Sequence, residues 1–326
     1  MQDPRAHARF PPPRTGTTQQ WFRSPRSLSS DDSLLRLTRT LWCIRPDDAD
    51  GVPVPLLRWE KAALIQRHHD PSLLVSHLSA AQLWGLPIAV PSAPWTHALL
   101  DEPPPRQRRE PALPELTSTD HRRNDATGHF FIRQGIGMPP VLGPWGCRAT
   151  HALETVLKCL PWLPGWRAVA AIDQLRSSGL DLAGPPQTAA LQELRRDFEM
   201  IPPGFAGSRL LSAAFDRSAA NTWSPMETLL RLAVVSRGAP EPQMNLPVRM
   251  RSGETFHLDI AWPEARAGLE YNGRVHYENR KVYGDEQHRL HLLEDAGWKV
   301  RIVVAEDLRD HHRFEATLRW LRRALS

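Results

Sequence analysis

Asp259 and Glu270 are the residues of this chain whose setting most invites chemistry. Phe256, Leu258, Ile260 and Trp262 alternate with His257, Asp259 and Ala261, the two-residue period of a half-buried strand. Ala267-Gly268-Leu269-Glu270-Tyr271-Asn272 forms a second such run, after Pro263-Glu264-Ala265-Arg266, which suits a four-residue turn. A turn closing Trp262 on Ala267 sets Ile260 against Leu269 and Leu258 against Tyr271, so the apolar residues agree on one face. On the other face Asp259 meets Glu270, and His257 meets Asn272. Opposed Cβ atoms lie about 5 Å apart. Two carboxylates that close repel unless one is protonated, both reach water, or a cation lies between them. Oxygen ligands of this kind suit a hard divalent ion such as Mg²⁺. The plainer alternative is a solvent-facing pair at a sheet edge.

The flanking segments must position that pair. Ser224-Pro225-Met226-Glu227 carries a capping Ser, a Pro at the first helical position and a Glu three residues after the cap. Glu227 therefore has a structural role available, bonding back to the Ser224 backbone. Leu229, Leu230, Ala233 and Val234 give the helix an apolar stripe. After Gly273-Arg274-Val275-His276 a helix is expected over about 285–295, ended by Gly297. Leu290 and Leu293 face the sheet, and Arg289 shares their side and points toward the strand ends. Trp298-Lys299-Val300-Arg301-Ile302-Val303-Val304 reads as a further strand, and strand–helix–strand order implies a right-handed parallel crossover. Trp298 is expected in the core. His288, His291, His311 and His312 are read as surface or capping residues rather than zinc ligands. Residues 221–326 thus read as an α/β domain.

Upstream the chemistry thins out. Residues 1–33, with Pro11-Pro12-Pro13, scattered Arg and a Ser-rich patch, read as a disordered tail. Residues 34–220 read as a mainly helical α+β scaffold, with a first strand near Leu41-Trp42-Cys43-Ile44 and a helix from Ser76 stopped by Gly85 and Pro87. Residues 102–125, dense in Pro, Arg, Glu and Asp, read as an internal loop.

Composition sets the limits. A length of 326 residues fits two domains at roughly 100–200 residues each. The formal charge of +5 permits a nucleic-acid partner without arguing for one. No apolar run approaches the roughly 18 residues of a membrane span, and no apolar stretch follows the N-terminal arginines as in a secretory signal. Three distant cysteines, Cys43, Cys147 and Cys159, form neither a disulfide framework nor a zinc site, which fits a reducing cytoplasm.

Taken in order, Ser224-Pro225-x-Glu227, Leu258-Asp259-x-Ala261-Trp262, Glu270-Tyr271-x-Gly273-x-x-His276, Arg289 and Gly297-Trp298-x-Val300-x-x-Val303 resemble a family of bacterial proteins. That family is related to the very-short-patch mismatch-repair endonucleases, within the PD-(D/E)xK nuclease superfamily. The resemblance covers about residues 224–310. It implies a restriction-endonuclease-like fold, a mixed sheet flanked by helices, and a Mg²⁺-dependent DNA endonuclease of repair or phage defence, with Mn²⁺ as a substitute metal. It implies that Asp259 and Glu270 hold the metal and that Glu227 is the acidic residue of the first helix. By the same resemblance, His276 assists proton transfer or holds a phosphate, and Arg289 neutralises the scissile phosphate. Asn272 departs from the pattern, since the related family usually has Asp there and the superfamily often has Lys. Lys281 and Lys299 are the only lysines of the domain. A catalytically inactive, binding-only descendant fits that departure.

A second segment, Leu74-Val75-Ser76-His77-Leu78-Ser79-Ala80-Ala81-x-Leu83-Trp84-Gly85-Leu86-Pro87, resembles proteins similar to the antitoxin of type IV abortive-infection systems. That resemblance implies an antitoxin-like transcriptional regulator, with DNA and a toxin or defence protein as partners. A third reading is a structural protein with a vestigial sheet, which burial of Asp259 away from Glu270 would favour.

Overall fold

Strand-forming residues appear earlier in the chain than its composition promises. The computed structural model describes residues 11–21, 23–48, 50–88, 94–104, 113–118, 125–126, 130–178, 191–273 and 280–326. Thr15–Thr17, Leu41–Ile44 and Leu34–Arg36 form a three-stranded antiparallel sheet with Leu41–Ile44 in the middle. Leu28, Leu34 and Trp42 bury together with Trp21 packed against them. The disordered tail expected through residue 33 is corrected from Thr15 onward, because Trp21 and Leu28 supply apolar surface that the Pro- and Arg-rich composition hides.

The chain is α/β, with mixed sheets. It divides into two compact units, one of residues 1–90, 105–163 and 178–212, the other of 91–104, 164–177 and 213–326. In the first, six strands of two to four residues run in the order Asp125–Ala126, Phe131–Gln134, Glu115–Ser118, Leu74–Val75, Arg148–Ala149, Val141–Leu142. Helices still hold far more of the described residues between 34 and 220 than strands do, as the mainly helical α+β reading expects, but the six-stranded sheet goes beyond the single strand that reading placed there. Strands this short show too little alternation to be recognised by period. The expected loop over 102–125 contains Glu115–Ser118, an interior strand with all four residues buried. The helix expected from Ser76 is His77–Leu83, with Gly85 at φ 64° behind it. Among the described residues no helix is long and apolar enough to cross a membrane.

The second unit holds a four-stranded sheet in the order Gln243–Arg249, Thr255–Trp262, Ala267–Asn272, Lys299–Val304. The first three strands are antiparallel and the last pair is parallel, joined through helix Arg280–Asp295. The hairpin pairs Trp262 with Ala267 and Ile260 with Leu269, the register set by its alternation. Pro263–Ala265 makes one 3₁₀ turn, and Arg266 closes it at φ 46°. Gly268 lies opposite Ala261, where a Cβ would come within 3.2 Å of the Leu258 side chain. Val248, Met250, Leu258, Ala261 and Leu293 form a core cluster, with Trp298 and Val300 packed on it. Gln243–Arg249 is an edge strand the sequence pattern did not show, since Pro247 interrupts its alternation. Proline is tolerated there because an edge strand can spare an N–H.

Helices Gly165–Ser178 and Pro94–Leu100 belong to this unit, and buried polar bonds fix them. Arg231, 1% exposed in the apolar middle of helix Pro225–Ser236, reaches Asp173 at 3.4 Å, Glu241 at 2.6 Å and the Arg217 carbonyl at 2.6 Å. Asp173 also accepts from the Thr228 hydroxyl at 2.8 Å and the Ala219 N–H at 2.7 Å. Glu102 accepts from the Trp166 N–H at 2.8 Å and pairs with Arg217 at 2.9 Å. Asp173→Ala leaves Arg231 paired with Glu241 but removes the acceptor of the Thr228 hydroxyl and the Ala219 N–H. The substitution is therefore expected to destabilise the protein by about 1–3 kcal/mol, the cost of a buried donor left unpaired. A urea midpoint unchanged from wild type would contradict this.

Candidate active site

Asp259 sits where its strand loses regular pairing on both sides. Toward the edge strand, Met244 pairs with Ile260 and Leu246 with Leu258, so Asn245 faces Asp259. Asn245 has φ 45°, left-handed backbone that Asn adopts more readily than most residues. Toward the other neighbour the paired positions run from Trp262–Ala267 to Ile260–Leu269. One step further the Asp259 side chain takes over, and its Oδ2 accepts the Tyr271 N–H at 2.8 Å. Asp259 and Glu270 lie within each other's electrostatic reach, although the ladder stops at Ile260–Leu269 and does not extend to the facing pairs Asp259–Glu270, Leu258–Tyr271 and His257–Asn272 that the alternation predicts.

Glu270 is 6% exposed and held by Arg289. Nη2 of Arg289 donates to Oε2 at 2.6 Å and Nη1 to Oε1 at 3.2 Å, a two-pronged pair. Nη1 also donates to the His257 carbonyl at 3.1 Å, so the crossover helix is pinned to both hairpin strands.

Glu227 joins from the first helix. Its N–H donates to Ser224 Oγ at 3.2 Å, so the capping role holds. Its Oε2 accepts from the Trp223 N–H at 3.0 Å and from Asn245 Nδ2 at 2.6 Å. Asn245 is fully buried, and its Nδ2 also donates to the Asn221 carbonyl at 2.8 Å. Its Oδ1 is buried with no hydrogen-bond partner.

Burial pushes the Asp259 carboxyl up to about 8, and the charges of Glu270 and Glu227 push the same way. The Tyr271 N–H and Arg289 oppose them. Burial raises Glu227 too, against its bonds from Trp223, Asn245 and Ser224. The repulsion within the acidic pair is met by burial that favours the neutral form of Asp259 and by a cationic side chain on Glu270.

Among the described residues no group of three or more His, Cys, Asp or Glu side chains takes up metal-holding geometry. The donor set is nonetheless all oxygen, as Mg²⁺ requires. The Asn245 Oδ1 adds a buried acceptor in need of a partner. A cation held by Asp259 and Glu270 would share Glu270 with Arg289.

The other expected residues divide. His276 and the Lys281 side chain lie outside the described residues. Asn272 is buried at the end of the Glu270 strand. Lys299 pairs with Ala267 at the opposite end, and its Nζ donates to the Ala324 carbonyl at 3.2 Å. His288, His291, His311 and His312 are exposed. Sequence reasoning missed Asn245, Asn221 and Trp223. The available signal was an Asn between Met244 and Leu246 within an otherwise apolar stretch.

No family model matches the chain, and no solved structure matches it. It is 28% identical over 186 residues to uncharacterised proteins of Mycobacterium tuberculosis strains CDC 1551 and H37Rv, covering 55% of this chain and 68% of each relative.

The Asp259 shift carries a stability consequence. Folding raises this carboxyl from the usual 3.8 to about 8, so the folded state binds the proton more tightly. The associated stability is fully present below pH 3.8 and is lost as pH rises toward 8. Asp259→Asn keeps an acceptor for the Tyr271 N–H and cannot ionise. The variant is expected to match wild type near pH 4 and to exceed it by a margin that grows as pH rises toward 8. Urea unfolding at both pH values measures this, and an advantage that fails to grow with pH would refute it.

Proposed function

We propose that the second unit is a divalent-metal-dependent DNA endonuclease that hydrolyses phosphodiester bonds, acting in the cytoplasm in DNA repair or phage defence. The observation that carries this reading is the convergence of Glu227, Asp259 and Glu270, from a helix and two strands, around a carboxyl pushed up to about 8. Strongly perturbed carboxylates cluster at functional sites. The order of acidic helix, two acidic strands, arginine-bearing helix and parallel strand further supports a restriction-endonuclease-like fold.

Asp259 and Glu270 would hold Mg²⁺, and Mn²⁺ could replace it. The chemistry that ion supplies when bound is activation of a water and stabilisation of charge at phosphorus. The chain's own residues do the rest. The Tyr271 N–H fixes one Asp259 oxygen and leaves the other to bind. Asn245 and the Trp223 N–H orient Glu227. Arg289 brings positive charge to the place where the phosphate would lie.

A second reading is favoured by the two-pronged Arg289–Glu270 pair, which occupies one acidic partner with protein charge. On that reading the chain is a non-catalytic, antitoxin-like regulator that binds DNA or a toxin or defence protein. A plasmid-nicking assay with Mg²⁺ or Mn²⁺ separates the two. The nuclease reading expects nicking by wild type and a loss of at least about 100-fold in Asp259→Ala and Glu270→Ala. Nicking that survives both substitutions overturns it. A mobility shift without nicking in any metal favours the regulator.

A further inference from the structure

Trp223 is a large aromatic residue in an unusual position. It is 52% exposed, although the backbone around it is tightly held. Its N–H donates to Glu227 Oε2 at 3.0 Å, and its indole Nε1 donates to Asn221 Oδ1 at 2.9 Å. Asn221 is itself at φ 60°, and its Nδ2 donates to the Met244 and Asn245 carbonyls at 3.0 and 3.1 Å. The indole packs on His257, with ring centroids 5.0 Å apart and planes tilted by 49°. His257 is two residues before Asp259, on the same side of the strand, and its carbonyl accepts from the arginine that holds Glu270.

Nothing in the fold requires this exposure. A tryptophan placed only for packing is buried, as Trp42, Trp84 and Trp166 are. Exposed indole costs free energy in water, yet here the Nε1 bond to Asn221 and the ring contact with His257 hold the side chain in place. The backbone N–H of the same residue is anchored on the site carboxylate Glu227, and the carbonyl of His257 is the one Arg289 grips. The result is a positioned aromatic surface beside the charged groups of the site.

We propose that Trp223 stacks an unpaired nucleobase beside the phosphate that the carboxylate site addresses, so the preferred substrate is DNA with a bulged, extruded or single-stranded nucleotide. This rests on the nuclease reading for the identity of the ligand. A rigid indole offers a face that any base can stack on, whereas a base within an intact duplex has no face to offer. His257 on one side of the ring leaves the exposed indole surface to the nucleic acid.

Fluorescence anisotropy of labelled oligonucleotides, with Ca²⁺ in place of Mg²⁺ to suppress cleavage, tests the proposal on the full chain. The probes are a fully paired duplex, the same duplex with a one-nucleotide bulge, and the single strand. Wild type is expected to bind the bulged and single-stranded probes on the order of tenfold more tightly than the duplex. Trp223→Ala should lose that difference while its affinity for the paired duplex is unchanged. Trp223→Phe should retain most of it. Equal affinity of wild type for all three probes, or a preference unchanged in Trp223→Ala, overturns the proposal. Circular dichroism on Trp223→Ala checks that the fold survives. Nicking in Mg²⁺ is scored separately. A base preference that depends on Trp223 without nicking supports this inference and counts against catalysis. Nicking indifferent to Trp223 does the reverse.

Discussion

Two acidic side chains close together on the strands of a largely buried hairpin create a charge problem, and the neighbouring elements are arranged around its solution. Arg289 reaches in from the crossover helix to compensate Glu270. Burial favours the neutral form of Asp259, whose carboxyl takes the Tyr271 N–H. Glu227 is drawn into the same field and is held by Asn245 and the Trp223 backbone. Each response fixes a different segment. The helix is fixed against the hairpin, the edge strand against the first helix, and the segment at 221–223 against both.

The backbone departs from regularity where those charges lie. Asn245 adopts left-handed geometry opposite Asp259, and the hairpin pairing gives way to a side-chain bond on the other flank. A strand with an unbroken ladder on both sides would press its acidic side chain into sheet packing. Here the broken ladder makes room for a carboxylate among groups that can bind it. Such departures cost free energy and persist only where surrounding contacts enforce them.

Much of this arrangement was readable from residue order. The hairpin register from Trp262–Ala267 to Ile260–Leu269 followed from seven alternating residues and a Pro-led turn. The helix start followed from Ser224 and Glu227. Other features were hidden for identifiable reasons. Pro247 and Asn245 masked the edge strand, and the six-stranded sheet is built from segments too short to display a period. The Arg289–Glu270 bond depends on helix orientation, which sequence spacing only indicates. The Asp173–Arg231 pair joins residues 58 apart in the chain. Its trace was a charge within the apolar stretch of each of two helices, which reads as a match only once the two are seen to meet.

The second unit is assembled from three separate stretches, 91–104, 164–177 and 213–326, with the chain of the other unit threaded between them. During synthesis the middle stretch emerges well before Arg231 exists to meet Asp173. Until then Trp166, Val169, Ile172 and Leu175, all buried in the finished protein, lack the 213–326 stretch of their own unit. Contacts this distant in sequence slow folding and prolong the exposure of sticky surface. Assistance from chaperones during translation should therefore govern how much of this protein reaches its working form.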